Sequence, residues 1–147
     1  MASSGSVHGS ALRGLLHATV TGDRDAIGDL VTDDVVGWSP TILVRSIEEL
    51  LEAVGGRDDT FSGIEVEVRA LDELGDKAIA EWHLAVDHTG PLFVDDDMVV
   101  QPTGRRLHLS GATIAEFDGD RICAFRSYFD DLALLEQALA VGVRAQP

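Results

Sequence analysis

Residues 105–130 decide the fold of this chain, and their sequence is RRLHLSGATIAEFDGDRICAFRSYFD. Segments 105–117 and 121–129 have the composition of strands, and the Asp-Gly-Asp triplet at 118–120 between them is typical of a tight turn. The stretch therefore predicts two antiparallel strands, with Asp130 at the end of the second.

Side chains of the second predicted strand alternate between two faces. One face is mostly hydrophobic and carries Cys123, Phe125, Ser127 and Phe129. The other face ends in a cation, a phenol and a carboxylate, those of Arg126, Tyr128 and Asp130. A concave site needs such groups to bind an oxygenated molecule and to move its protons. We therefore expect the substrate site at this strand end.

Length and composition indicate one domain, because 147 residues that are 45% hydrophobic can bury a core. We place the domain at 10–141, between a flexible tail at 1–9 and a flexible end at 142–147. The formal net charge of −15 repels phosphate backbones and anionic lipids, so we expect no nucleic acid and no membrane as partners. No stretch approaches the roughly 18 apolar residues of a membrane span, and residues 1–9 lack a signal-peptide core. A cytoplasmic protein is expected.

Three helices and a second hairpin are predicted ahead of residue 105. Apolar residues at helical spacing predict helices that begin at Ser10, Asp23 and Ser46, where Ser46 and Glu49 form a capping box. A short strand with its continuation is predicted at 35–44. Alternating segments at 64–74 and 77–88, joined by a Gly-Asp turn, predict two more strands. A long loop at 90–104 and a closing helix at 132–141 complete the prediction.

This order of elements predicts an α+β fold. We expect a curved antiparallel sheet that forms a cone-shaped barrel, with the three N-terminal helices covering an apolar pocket. The opposite side of the sheet also carries apolar positions, and a second subunit is the natural partner for it. A homodimer is therefore expected.

The sequence also resembles the SnoaL-like polyketide cyclases, a branch of the nuclear transport factor 2 and ketosteroid isomerase superfamily. The resemblance is concentrated in residues 76–139. It is carried by Gly75-Asp76, Trp82, Asp87-His88-Thr89-Gly90, Pro102-Thr103-Gly104-Arg105, Asp118-Gly119, Ile122, Tyr128-Phe129-Asp130 and Leu134-Leu135-Glu136-Gln137. It implies a homodimeric α+β barrel whose deep pocket binds an apolar, carbonyl-rich molecule. It also implies that Asp130 acts as a general acid/base without a cofactor.

The chemistry expected of Asp130 follows from its surroundings. An apolar hollow disfavours the charged form of a carboxyl group and makes it a better base at neutral pH. Asp130 would then remove a proton alpha to one carbonyl group and donate a proton to the alkoxide formed at another. The alternative is that Asp130 caps the closing helix, although Asp131 could supply that cap equally well.

Two histidines are candidates beside Asp130. If the hairpin loop has three residues, even-numbered residues face one another, and His108 lies near Asp130 as a second catalytic residue. A two-residue loop would put His108 on the opposite side. His88 lies where a strand gives way to the long loop, and we expect it to contact substrate at the pocket mouth. The alternative for His88 is an ordinary turn.

Four further side chains are predicted to bind substrate. Tyr128 and Arg126 would stabilise the negative charge of a developing enolate, although an ion pair with an acid is an equal prospect for Arg126. Trp38 and Trp82 would form flat apolar walls, or serve in ordinary core packing. Zinc, nucleotide and serine-hydrolase motifs are absent from the sequence, so we expect no metal and no cofactor.

We therefore expect a cofactor-independent cyclase that closes a ring in a polyketide or a similar carbonyl-rich apolar natural product by an aldol-type reaction. One alternative is an epoxide hydrolase or isomerase on the same scaffold. Hydrolysis would require a second carboxylate and an arginine beside Asp130, drawn from Glu116 or Asp87 and from Arg106 or Arg126. The other alternative is a non-catalytic dimer module that binds a small molecule.

Overall fold

Two long hairpins form the centre of the structure, a computed structural model that describes residues 2–55 and 57–139. The helices are α1 (Ala2–Thr21), α2 (Arg24–Leu30), α3 (Ile47–Val54), α4 (Arg57–Thr60) and α5 (Ala133–Leu139). The strands are β1 (Val31–Trp38), β2 (Leu43–Val44), β3 (Phe61–Leu74), β4 (Lys77–His88), β5 (Leu92–Asp95), β6 (Met98–Val100), β7 (Arg106–Asp118) and β8 (Arg121–Phe129).

The main sheet has six strands in the order β2-β1-β8-β7-β4-β3. Strand β1 runs parallel to β8, whereas the other neighbours are antiparallel. The predicted α+β class is correct, but the sheet is mixed rather than antiparallel. It is also open rather than a closed barrel, because β2 and β3 are its two edges and do not pair with each other.

The predicted helix starts at Asp23 and Ser46 are confirmed by their capping bonds. The Asp23 carboxylate accepts a hydrogen bond from the Ala26 amide at 3.1 Å. The Ser46 hydroxyl accepts one from the Glu49 amide at 3.2 Å, and the Glu49 carboxylate accepts from the Arg45 amide at 2.7 Å. These bonds satisfy amides that have no partner within the first turn of a helix.

The first helix begins at Ala2 rather than at Ser10. His8, predicted to lie in a flexible tail, stacks on the Phe117 ring at 4.0 Å, and its Nε2 lies 3.0 Å from the Gly119 carbonyl oxygen. The first helix thus extends into the predicted tail, whereas the flexibility of residues 1–9 stays a prediction. The predicted flexible end at 142–147, the last two residues of the predicted closing helix at 140–141, and Gly56 lie outside the described residues.

Both predicted hairpins are present. Leu74 pairs with Lys77, which leaves Gly75 and Asp76 in the first turn. Asp118 pairs with Arg121, so the second turn has two residues. The predicted loop at 90–104 contains a further hairpin, formed by β5 and β6.

A β-bulge changes the register of the second hairpin. Phe117 pairs with Ile122, but Glu116 pairs with Ala124, so the bulge falls at Cys123. Beyond the bulge, even-numbered residues pair with even-numbered ones, as at Ala112 and Tyr128. The pairing expected for a three-residue loop therefore occurs with a two-residue turn.

The inner face of the sheet is buried, whereas its outer face is exposed to solvent. Inner-face residues such as Trp82, Leu109 and Phe125 are buried and belong to the same core as Leu12 and Leu15 of α1. The outer face carries exposed apolar side chains, those of Val36, Trp38, Ile79 and Tyr128. The expected second subunit remains a prediction.

Of the helices in residues 2–55 and 57–139, none has the length and hydrophobicity of a bilayer-spanning segment.

Candidate functional site

A cavity of about 680 Å³ lies between α1 and the inner face of the sheet. Most of its lining is apolar, with Leu16 and Val20 from α1 on one side and Trp82, Leu109 and Phe125 from the sheet on another. Its size and lining match those of small-molecule sites, which combine apolar walls with a few polar groups. Those polar groups are Thr19, Ser39, Thr41, Asp59, Thr60, Ser127, Asp130 and Asp131.

Asp130 lines this cavity at the point where β8 ends. Its side chain is exposed, whereas we expected an apolar hollow to enclose the carboxylate. Oδ1 accepts a hydrogen bond from the Leu132 amide at 3.0 Å, and the Asp130 carbonyl accepts one from the Ala133 amide at 3.1 Å. Asp130 therefore holds the turn that precedes α5, and the cap of that helix considered as its alternative role stays a prediction.

Two further acidic residues line the cavity, and the sequence did not single them out as site residues. Asp131 follows Asp130 and was considered only as a cap, whereas Asp59 belongs to the short helix α4. Both residues are exposed. Among the residues that the structure describes, Asp130 is thus one of three acidic ones in the lining of this cavity.

A chain of polar side chains crosses the inner face of the sheet. Trp82 Nε1 donates a hydrogen bond to Thr113 Oγ1 at 3.0 Å, and Thr113 Oγ1 lies 2.8 Å from Ser127 Oγ. Thr113 is fully buried, and Ser127 lines the cavity. Of the two tryptophans that were expected to form walls of the site, Trp82 therefore lies at the cavity wall, and its indole nitrogen is hydrogen-bonded inside the sheet.

Sequence reasoning missed Thr113 and Ser127. They stand directly opposite each other on β7 and β8, and Thr113 also pairs with Ala80 on β4. The signal for Ser127 was its position among apolar residues on one face of β8. This signal was too weak, because Thr113 and Trp82, the other members of the hydrogen-bonded chain, lie on two other strands.

His88 is fully buried, but it does not line the cavity. Its Nδ1 lies 3.0 Å from Thr103 Oγ1 and accepts a hydrogen bond from the Thr103 amide at 3.3 Å. The backbone amide of His88 also donates a hydrogen bond to the Arg105 carbonyl, in the same loop as Thr103, at 2.9 Å. The structure therefore places His88 as an anchor for the 103–105 loop rather than at the pocket mouth.

Arg126 and Tyr128 lie on the outer face of the sheet, away from the cavity. The Arg126 guanidinium donates to the Glu116 carboxylate at 2.8 Å, which is the ion pair considered as its alternative role. This hydrogen bond and the positive charge hold the pKa of Glu116 below its usual value. Tyr128 instead packs against Trp38, with ring centroids 5.2 Å apart.

His108 also lies on the outer face and does not line the cavity, so the structure does not bring it to Asp130. Its Nδ1 lies 3.1 Å from Nε2 of His83. The Gln137 side chain accepts from the His108 amide at 2.8 Å and donates to its carbonyl at 2.6 Å. His108 thus helps to attach α5 to β7.

Arg106 is the other arginine considered for a hydrolytic site. It bonds to the carboxylates of Asp87 and Glu65 and, at 3.0 Å, to the Gly63 carbonyl. Hydrogen bonding to Asp87 is the main cause that raises the pKa of Arg106 above its usual value. Neither Arg106 nor Arg126 lines the cavity.

Metal ligands are not clustered in the described part of the chain. Within residues 2–55 and 57–139, no three His, Cys, Asp or Glu side chains are grouped so as to hold a metal ion.

Among the comparisons with known proteins, one family model matches the sequence, and solved structures match the fold. The model of the family described as SnoaL-like polyketide cyclase matches residues 10–138. No curated protein sequence matches the chain.

Three solved structures illustrate the likeness in fold. TsrD from Streptomyces laurentii is 20% identical, with a TM-score of 0.75 over 92% of this chain and 97% of that one. An LEH-like epoxide hydrolase of M. tuberculosis is 20% identical, with a TM-score of 0.69 over 97% and 96% of the two chains. A Catenulispora acidiphila protein with a ketosteroid isomerase-like fold is 15% identical, with a TM-score of 0.68 over 87% and 91%.

Proposed function

The chain belongs to the SnoaL-like polyketide cyclase family, and we propose that it closes a ring in a polyketide or similar carbonyl-rich apolar natural product. The reaction is an intramolecular aldol addition that needs no cofactor. The observation that supports it is an apolar cavity of about 680 Å³ with Asp130 among its lining residues.

Asp130 is the proposed general acid/base. Its carboxylate removes a proton from the carbon alpha to one carbonyl group, which leaves an enolate. The enolate carbon attacks the second carbonyl carbon, so that a C–C bond forms as the C=O π bond breaks. The resulting alkoxide takes the proton back from the carboxylic acid, and the product is an isomer of the substrate. Proton transfer of this kind contributes roughly 10² to 10⁴ in rate.

The exposure of Asp130 fits this role if the substrate itself excludes water. The cavity mouth also carries exposed apolar side chains, those of Phe93, Val94 and Leu132. A large apolar ligand in contact with them would displace water from the neighbouring carboxylate. A carboxylate that loses its hydration becomes a stronger base.

Ring closure is favoured over epoxide hydrolysis by the position of the arginines. Hydrolysis would require an arginine and a second acid that hold a water molecule beside Asp130. Arg126 is bonded to Glu116, and Arg106 to Asp87 and Glu65, away from the cavity lining. The groups proposed for hydrolysis are therefore engaged elsewhere.

The proposal is tested with synthetic aromatic diketones whose two carbonyl groups are spaced to close a six-membered ring. In D₂O, we expect the protein to accelerate both deuterium exchange at the α-carbon and formation of a product with one ketone ¹³C signal fewer. Exchange reports the first proton transfer even where the ring does not close. Bound diketones that show neither exchange nor closure would favour the non-catalytic binding module instead.

A further inference from the structure

We propose that the Ser127 hydroxyl is a directed hydrogen-bond donor that binds an oxygen acceptor of the ligand, a carbonyl or enolate oxygen, inside the cavity. The proposal rests on the proposed function in one respect, namely that the cavity is the substrate site. It adds a binding residue and assigns it one polar group of the substrate.

The direction of the hydrogen bonds follows from the chemistry of the three side chains. An indole N–H only donates, so the bond between Trp82 and Thr113 makes Thr113 Oγ1 an acceptor. Thr113 still has its own hydroxyl hydrogen to place, and it is fully buried. Among the described residues, Ser127 Oγ at 2.8 Å is the acceptor that this hydrogen can reach.

The hydroxyl hydrogen of Ser127 can consequently be donated to a ligand in the cavity. If Ser127 donated to Thr113 instead, the Thr113 hydrogen would be buried without an acceptor, which is the costlier arrangement. With Thr113 donating, Ser127 Oγ receives one hydrogen bond and turns its own O–H toward the space that it lines. Successive hydrogen bonds in one direction also polarise one another, so the terminal O–H is a stronger donor.

The backbone holds this chain in place. Trp82 on β4 lies beside Gly111 on β7, and a Cβ atom at Gly111 would overlap Trp82 Cζ2. The absence of that atom lets the indole lie against β7 and reach Thr113. Ser127 stands directly opposite Thr113 on β8, so the regular sheet register completes the alignment.

The acceptor that suits this donor is a carbonyl oxygen. Ser127 shares the cavity lining with Trp82, Leu109, Phe125 and Phe129, whose side chains carry no hydrogen-bond acceptor. A neutral hydroxyl tolerates both the carbonyl oxygen of the substrate and the enolate oxygen that forms after proton removal. It binds the enolate more strongly, because hydrogen bonds to charged oxygens are stronger.

The test uses 9-fluorenone and fluorene, which share a ring skeleton and differ by a carbonyl group in place of a methylene group. Dissociation constants of both are measured on the full-length protein and its Ser127→Ala variant, together with the infrared C=O stretch of bound fluorenone. The fluorenone preference is the dissociation constant of fluorene divided by that of fluorenone. We expect Ser127→Ala to lower this ratio about fivefold, the factor expected for one neutral hydrogen bond. The stretch should move to higher frequency.

Three further variants separate orientation from stability. Thr113→Val removes the relay but keeps Ser127, and it should lower the preference by a smaller factor of about two. Thr113→Ser keeps the hydroxyl and should leave the fluorenone preference unchanged. Ser110→Ala removes a hydroxyl from the outer face of the same strand, where it bonds to His83, and serves as the matched control.

An unchanged preference and an unchanged stretching frequency in Ser127→Ala would overturn the inference, as would failure of the wild-type protein to bind fluorenone. The outcome is separable from that of the proposed function. Loss of α-proton exchange with the Ser127 effect intact would refute the cyclase alone, whereas exchange without the Ser127 effect would refute this inference alone.

Discussion

The Asp130 carboxylate accepts a hydrogen bond from the Leu132 amide at 3.0 Å, so the proposed base also holds the turn that precedes the last helix. This double role decides which substitution is informative. Alanine would remove the acceptor and the base together. Asparagine keeps an oxygen acceptor for the amide but cannot take up and return a proton.

We expect Asp130→Asn to lower the rate of α-proton exchange and ring closure by roughly 10² to 10⁴ with little change in melting temperature. Asp131→Asn is the matched control, because Asp131 is the next residue and also lines the cavity. It should retain most of the activity. If Asp131→Asn abolished exchange and Asp130→Asn did not, Asp131 would be the base and the assignment would be wrong.

The ion pair on the outer face predicts a pH effect. Arg126 holds the pKa of Glu116 below its usual value, so the pair stabilises the folded state above the unfolded pKa, and this stabilisation is lost as the pH falls through the lower folded pKa. The pair is solvent-accessible, and its contribution is therefore small. Arg126→Met should move the Glu116 carboxyl titration, followed by ¹³C NMR, back toward its usual range. A titration that does not move would contradict this assignment.

Cys123 is the single cysteine of the chain, and we expect it to react slowly. Burial is the main cause that raises the pKa of its thiol, and Asp118 adds a repulsive negative charge. A raised pKa leaves less thiolate at neutral pH, and the thiolate is the reactive form. Modification by a disulfide reagent at pH 7.5 should therefore be slower for the folded protein than for protein unfolded in urea, which provides the accessible reference.

Two glycine substitutions should act in opposite directions. A Cβ atom at Gly111 would overlap the Trp82 ring and lie 2.7 Å from the Tyr128 carbonyl oxygen, so Gly111→Ala should destabilise the protein by about 1–3 kcal/mol. Gly28 in α2 has nothing within 4 Å of such an atom, and Gly28→Ala should stabilise it by about 0.5–1 kcal/mol. Urea unfolding followed by circular dichroism measures both. Equal effects would refute the close approach at Gly111.

The expected homodimer is tested through the outer face of the sheet. Trp38 and Tyr128 pack together there, and both are partly exposed. If a second copy covers this face, Tyr128→Glu should shift the protein from dimer to monomer in sedimentation velocity, because it would bury a charge in the interface. Phe93→Glu, at the exposed cavity mouth, is the control and should leave the dimer intact. A monomeric wild-type protein would refute the prediction.

The sequence by itself determined the elements whose signals are local. The boundaries of β4 and β8, the Gly75-Asp76 turn and the caps at Asp23 and Ser46 follow from alternation, turn chemistry and side-chain acceptors within a few residues. The position of Asp130 at a strand end was equally predictable.

The tertiary structure alone decided which side chains meet. The bulge at Cys123 sets the register of β7 and β8 and puts Arg126 and His108 on the same face, whereas the cavity lies on the other face, against α1. The alignment of Trp82, Thr113 and Ser127 depends on three strands from separate parts of the chain. Such contacts arise from long-range pairing, to which a residue's sequence neighbours contribute no signal.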